Sequence, residues 1–227
     1  GPFNIFDVLI KGRDYAIARG VSAALLPKLT TVWGPGYNAD NAGISNYSRI
    51  TRLLKIGGLA ADPDEFDDNV ILHEFGHYIQ HNISFNKSPG GPHTFTGHFN
   101  IALTWSEGWG TFYGLAVRNS KFYVDHTNIG FTSVDFELPN FGGSLVANPL
   151  MTGFDNEVGV CSTLWDIFDS NSDNRDRLSD GIANIWSIIT NSTYFGAARN
   201  CAMEDFIDGW VRLNKGQLIS LSEILAE

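Results

Sequence analysis

The sequence predicts an α+β fold. An N-terminal lobe, about residues 1–85, combines a mixed β-sheet with a helix bearing the stretch HEFGH, and a mostly helical C-terminal lobe covers about 86–227. Three observations lead there. Helical and strand-like hydrophobic spacings occur side by side in the first third, helical patterns dominate the remainder, and no repeat, low-complexity run or linker separates independent units. A chain of 227 residues with 43% hydrophobic content is long enough for one domain spanning 1–227.

The elements follow in order. In FNIFDVLIKGRDYAIA, Phe6, Leu9, Ile10 and Ile17 form an apolar stripe at helical spacing. WGPGYNADNAGISN is dense in Gly, Asn and Pro and reads as loop and hairpin. RITRLLKIGG alternates Ile50, Arg52, Leu54 and Ile56 as a half-buried strand. ADPDEFDD then starts a helix expected over about 63–82: Asp62 can cap, Pro63 suits the first helical position, and Asp64 and Glu65 complement the helix dipole. After the loop NKSPGGPHTFTGH, a second helix is expected over about 100–119. A Gly/Asn/Pro-rich stretch, 126–153, precedes three more helical patterns at about 157–169, 180–191 and 203–214.

Composition narrows the partners. Fifteen Lys plus Arg against twenty-five Asp plus Glu give a formal charge of -10, and no segment concentrates basic residues, which excludes a nucleic-acid track. No apolar run reaches the roughly 18 residues of a membrane span. The chain begins without an initiator Met or signal peptide, as expected of a processed or excised form. Cys161 and Cys201 allow one disulfide or two buried thiols. Oligomeric state leaves no signature here.

HEFGH, residues 73–77, carries the chemistry. Four residues turn a helix by about 400°, so His73 and His77 share a face one turn apart and can reach one metal ion. Glu74, offset by about 100°, stays off the metal but beside a water bound there, the position of a general base. Two imidazoles do not complete a zinc site, and TWSEGWGTFYG offers the third ligand. Glu107 is its lone acid, flanked by Trp105, Trp109 and Phe112, where an unpaired buried carboxylate would be costly. Gly108, Gly110 and Gly114 each weaken that helix by up to about 1 kcal/mol relative to Ala, which suggests close approach to the His73 helix. His81 lies about 12 Å along the helix from His73, beyond reach of the same ion.

HEFGH followed by S-E-G-W thirty residues on resembles the gluzincin metallopeptidases, above all the thermolysin-like and fungalysin-like families, over roughly residues 50–115. The resemblance implies a zinc-dependent endopeptidase with the active-site cleft between the two lobes. His73, His77 and Glu107 would be zinc ligands and Glu74 the catalytic base. A protein or peptide substrate would lie along RITRLLKIGG as an edge strand. Those families place an acid where this chain has Thr111, so support for the zinc histidines is expected from elsewhere. Their downstream His is replaced by Val160, leaving Tyr113, Tyr123, His126 and Tyr194 as candidate donors to the reacting carbonyl. His93 and His98 fall in the loop between the two metal-bearing helices, at the expected cleft rim or solvated. Together with the acidic, aromatic-rich composition, the resemblance implies a secreted, extracellular protein. Another zinc-dependent hydrolase, an exopeptidase or amidase, and a non-catalytic metal-binding domain are the alternatives.

One acidic segment stands apart. DSNSDNRDRLSD places Asp169, Asn171 and Asp173 at alternate positions and Asp180 at the twelfth, the spacing of a Ca2+ loop. Asn174 stands where such a loop wants Gly, and Asp176 replaces an apolar residue. A solvated acidic connection is the competing reading.

Overall fold

The computed structural model describes residues 1–41, 43–142, 144, 146–169, 178 and 181–225. The first helix, α1 (Pro2–Ala18), forms as expected but turns a different face inward. Ile5, Val8, Gly12 and Ala16 are buried, whereas Phe6 is 63% exposed. Small residues decide the face: a Cβ on Gly12 would lie 2.9 Å from the Phe75 ring, and the Tyr113 hydroxyl donates to Gly12 O at 2.5 Å. The helix must come close, and its larger apolar side chains cannot fit there.

A three-stranded sheet follows, with order β1-β3-β2, made of β1 (Thr30–Val32), β2 (Asn46–Ser48) and β3 (Leu53–Lys55). β3 pairs parallel with β1 and antiparallel with β2. The expected alternation survives only at Leu54 and Ile56, both fully buried. Ile50 stands 96% exposed in a turn, and Arg52 adopts φ 56 just before the strand. RITRLLKIGG is therefore not an edge. Its strand is the centre of the sheet, and β2 is the edge nearer the HEFGH helix.

That helix is α2 (Asp68–Ile83); Asp64–Phe66 form only a short 3-10 turn before it. The expected start was too early because the backbone turns extended at Asp67, φ -97 and ψ 93, which separates the turn from α2; the Asp67 side chain does not cap the helix but accepts the His126 backbone N–H at 3.1 Å and its Nδ1 at 2.5 Å. α3 (Ile101–Arg118) starts at Asn100, whose side chain accepts the Ala102 N–H, and stops at Asn119 in the left-handed region. Residues 102–116 are buried all round, so α3 is the central helix of the core.

The stretch after α3 contains a second sheet that the Gly/Asn/Pro content concealed: β4 (Phe122–Thr127), β5 (Gly130–Asp135) and β6 (Asn140–Phe141), all antiparallel. α4 (Glu157–Phe168), α5 (Ile182–Ile189), α6 (Met203–Arg212) and an unexpected α7 (Leu218–Ile224) complete the chain. The fold is thus mixed α plus β, with seven helices and two small sheets among the described residues. No described helix is long and apolar enough to cross a membrane.

Two apolar clusters hold these elements. Ile5, Val8, Leu54, Ile56, Ile71 and Leu72 seal α1 and β3 onto α2. A larger cluster gathers α3 against α4, α5 and α6, with Trp105, Trp109, Phe112 and Phe206 among its fully or almost fully buried members. Each such side chain stabilises by roughly 1.5–3 kcal/mol relative to exposure. Cys161 and Cys201 are both buried and both free.

Candidate metal centre

Glycines bring the candidate ligands together. A Cβ on Gly76 of α2 would lie 3.0 Å from Gly110 Cα and O, and a Cβ on Gly110 would lie 3.1 Å from His73 O. Gly114 likewise faces α2, at Leu72. Gly108 does not. It faces α4, where a Cβ would meet Val160 at 2.6 Å and Glu157 O at 2.7 Å, so the three glycines serve two helix contacts rather than one. Trp109 Nε1 donates to Gly76 O at 3.1 Å and locks the α2–α3 pair further.

Across that contact, His73 Nε2 and His77 Nε2 are 3.1 Å apart. Glu107 Oε2 lies 3.2 Å from the first and 3.1 Å from the second. A tetrahedral zinc ion with ligands at about 2.0–2.1 Å has ligand edges of about 3.3–3.4 Å, so this near-equilateral triangle fits one face of a zinc shell. The opposite ring nitrogens fit as well. His73 Nδ1 lies 2.9 Å from Thr111 Oγ1 and Ser106 Oγ 3.4 Å from His77 Nδ1; with each Nδ1–H donated to its hydroxyl oxygen, both Nε2 lone pairs are left for a metal. Thr111 thus supports His73 from the very position where its hydroxyl was expected to be no substitute for an acid. A threonine oxygen accepts the imidazole proton as a carboxylate would, without its charge.

Glu74 stands beside the triangle. Its Oε1 is 3.9 Å from His73 Nε2, and its Oε2 accepts the Tyr47 N–H of β2 at 2.8 Å. Burial raises its pKa, an effect the neighbouring imidazoles and the Tyr47 N–H only partly offset. Burial also pushes Glu107 upward, but His77 and His73 outweigh it and hold that carboxyl well below the usual range. At His77 burial favours the neutral ring, yet Glu107 raises its pKa to about 9. Without metal, the site is a buried carboxylate–imidazolium pair.

The remaining polar candidates separate clearly. Tyr113 is spent on Gly12, and His126 on Asp67 at the start of α2. Tyr194 packs on Gly209 and under Arg199 in the α6 region. Tyr123 lies against Phe95 with ring centroids 5.5 Å apart. His81 bonds the Tyr47 hydroxyl at 2.7 Å, and His98 pairs with exposed Asp155 at 3.0 Å. His93, read from the sequence as a rim or solvated residue, keeps a third of its side chain exposed and lies between two carboxylates: Nδ1 is 2.7 Å from Glu157 Oε2, and Nε2 is 3.5 Å from Glu107 Oε2. Tyr47, Ser106, Thr111 and Glu157 complete the surroundings. Only Thr111 had a signal in the sequence, its place one helical turn after Glu107.

A further acidic grouping, Asp62, Asp64 and Asp125, lies between the two sheets' segments and the start of α2. The expected Ca2+ loop falls on residues 169–180, which apart from Asp169 and Leu178 lie outside the described residues.

The two helices thus assemble a candidate metal centre of two imidazoles and a carboxylate, on an α plus β scaffold. The sequence matches the Mycolysin C-terminal domain family over residues 26–211, and the chain belongs to that family. The match supports a relationship with thermolysin-like metallopeptidases. The chain is also similar to an uncharacterized protein of Archaeoglobus fulgidus, 29% identical over 112 residues that cover 47% of this chain and 29% of that protein. It therefore spans less than a third of that relative's length.

Proposed function

We propose that the chain is a gluzincin-type zinc metallopeptidase, secreted, with its substrate in a cleft between an N-terminal lobe carrying α2 and a C-terminal lobe. The observation that carries this reading is the donor triangle of His73, His77 and Glu107 with Glu74 beside it. When bound there, zinc would acidify a water and polarise the scissile carbonyl. Glu74, its Oε2 fixed by the Tyr47 N–H, would take the water's proton on Oε1 and hand it to the leaving amine. Its burial, which raises its proton affinity, suits a base that must take up the water's proton.

The substrate rim follows from the sheet. Among the described residues β2 is bonded on one side only, to β3, and its Tyr47 N–H already points at Glu74. An extended peptide added along β2 would bring its backbone past the base, the role first expected of RITRLLKIGG. Thr111 and Ser106 would hold the two imidazoles in the tautomer that binds metal. Digestion of an unstructured polypeptide with and without a zinc chelator tests the reading. Cleavage at internal peptide bonds that stops with the chelator and returns with zinc is the expected result; chelator-insensitive cleavage, or none in the zinc-loaded protein, would contradict it.

A further inference from the structure

Hydrolysis of an amide builds negative charge on the carbonyl oxygen, and a donor aimed at that oxygen typically contributes a factor of about 10²–10³ in turnover. The four candidates taken from the sequence do not all remain: Tyr113, His126 and Tyr194 are engaged away from Glu107. His93 is in a different situation. Its Nδ1 is 2.7 Å from Glu157 Oε2, and its Nε2 faces Glu107 Oε2 at 3.5 Å, too long to spend that nitrogen on a good hydrogen bond.

The geometry points to His93 as the hydrogen-bond donor to the carbonyl oxygen of the scissile peptide, with Glu157 as the residue that positions its ring, an inference resting on the peptidase reading above. Three observations carry it. The ring meets the donor triangle at Glu107; among the described residues no hydrogen bond or ion pair joins it to His73 or His77. Its Nε2 thus stands next to the donor triangle, on a side chain that is one-third exposed and so reachable by substrate. Second, the two ring nitrogens are in unequal positions: Nδ1 is engaged by Glu157 Oε2 at 2.7 Å, and Nε2, with no partner nearer than 3.5 Å among the described residues, is the one that can meet an incoming oxygen.

Third, the loop bearing His93 is docked where that orientation is set. Asn156 Nδ2 donates to Phe95 O at 2.8 Å and Gly97 O at 2.9 Å, while its Oδ1 accepts the Val158 and Gly159 N–H groups at the start of α4. Glu157, the next residue, is 3% exposed. The cap of α4 and its first residue, consecutive in the chain, therefore fix the loop and the ring together. This is not the arrangement of a mobile surface histidine.

The test uses the zinc-loaded chain and its variants His93→Ala, His93→Gln, Glu157→Gln, Tyr123→Phe and the double His93→Ala/Glu157→Gln. Zinc content, kcat and KM on one cleaved peptide, and affinity for a phosphonamidate peptide of the same sequence are measured for each. His93→Ala should keep full zinc and a KM within about threefold, while kcat and phosphonamidate affinity each fall by about a hundredfold. His93→Gln, which retains an N–H donor, should recover part of both. Glu157→Gln should lose less than His93→Ala, and the double variant should be no worse than His93→Ala alone.

Lost zinc in His93→Ala would make the residue a ligand and overturn the inference. So would a rise in KM with kcat intact, or a kcat loss found in Tyr123→Phe and absent from His93→Ala. An active parent matched by an equally active His93→Ala overturns the His93 role alone. A parent that neither binds zinc nor cleaves peptides overturns the peptidase reading, and the His93 role with it.

Discussion

Glu107 is buried on a helix whose neighbours in sequence, Trp105, Trp109 and Phe112, are buried too, and the facing imidazoles make its charge tolerable there. Glu107→Ala should therefore leave two imidazoles unable to complete a zinc shell, and metal analysis should find occupancy lost; full occupancy would place the third ligand elsewhere. Thr111→Val removes the oxygen bonded to His73 Nδ1 while keeping the side chain's shape. A fall in zinc affinity of about 10–100-fold is expected in a competition titration, whereas unchanged affinity would reduce Thr111 to packing. At this scale the sequence was legible where helical periodicity acts: His73, Glu74 and His77 lie as their spacing requires. His93 was not, because its partners Glu107 and Glu157 are brought to it by two helices and a loop, and no local pattern encodes that meeting.

Helices here are positioned by what is missing from them. Gly76 and Gly110 meet backbone to backbone, so Gly110→Ala would force its Cβ against His73 O and the His73 ring, whose movement disturbs the metal triangle. The variant should lose about 1–3 kcal/mol in urea unfolding despite the gain in helix propensity. Gly114→Ala meets Leu72 Cβ at 3.3 Å, with backbone no nearer than 3.6 Å, and should cost clearly less. Equal losses would show that propensity, not contact, sets the response. The same logic explains which elements the sequence revealed. α2, α3 and α4 have long apolar patterns, and Asn100 and Asn156 cap the last two. The inward face of α1 escaped because Gly12 and Ala16 define it, and β4 to β6 escaped because short strands joined by Gly- and Asn-rich turns resemble loop.

Across the whole molecule, charge accumulates where the segment before α2 meets β4. Burial raises the Asp64 carboxyl to about 7 despite the hydroxyl of Ser45, with nearby Asp62, Asp125 and Asp67 adding to the rise; burial, Asp62 and Asp67 lift Asp125 to about 6 against the opposing His126. The folded protein thus holds the Asp64 proton more tightly than the unfolded chain, with its ordinary value of 3.8. That contribution to stability is complete below about pH 4 and is lost as pH rises through 7. Relative to the parent, Asp64→Asn should gain on the order of 1–3 kcal/mol in unfolding free energy between pH 4 and 7 in calcium-free buffer. A constant difference across that range would mean Asp64 titrates normally.

The central claim is that Glu74 acts as a base on a metal centre built by α2 and α3, and Glu74→Gln addresses it most directly. Glutamine keeps the shape and can still accept the Tyr47 N–H, but cannot take a proton. The decisive measurement is cleavage of an unstructured polypeptide by this variant after its zinc content has been matched to the parent. The account predicts a folded, zinc-loaded protein whose turnover is down by at least about a hundredfold; turnover close to that of the parent would contradict it.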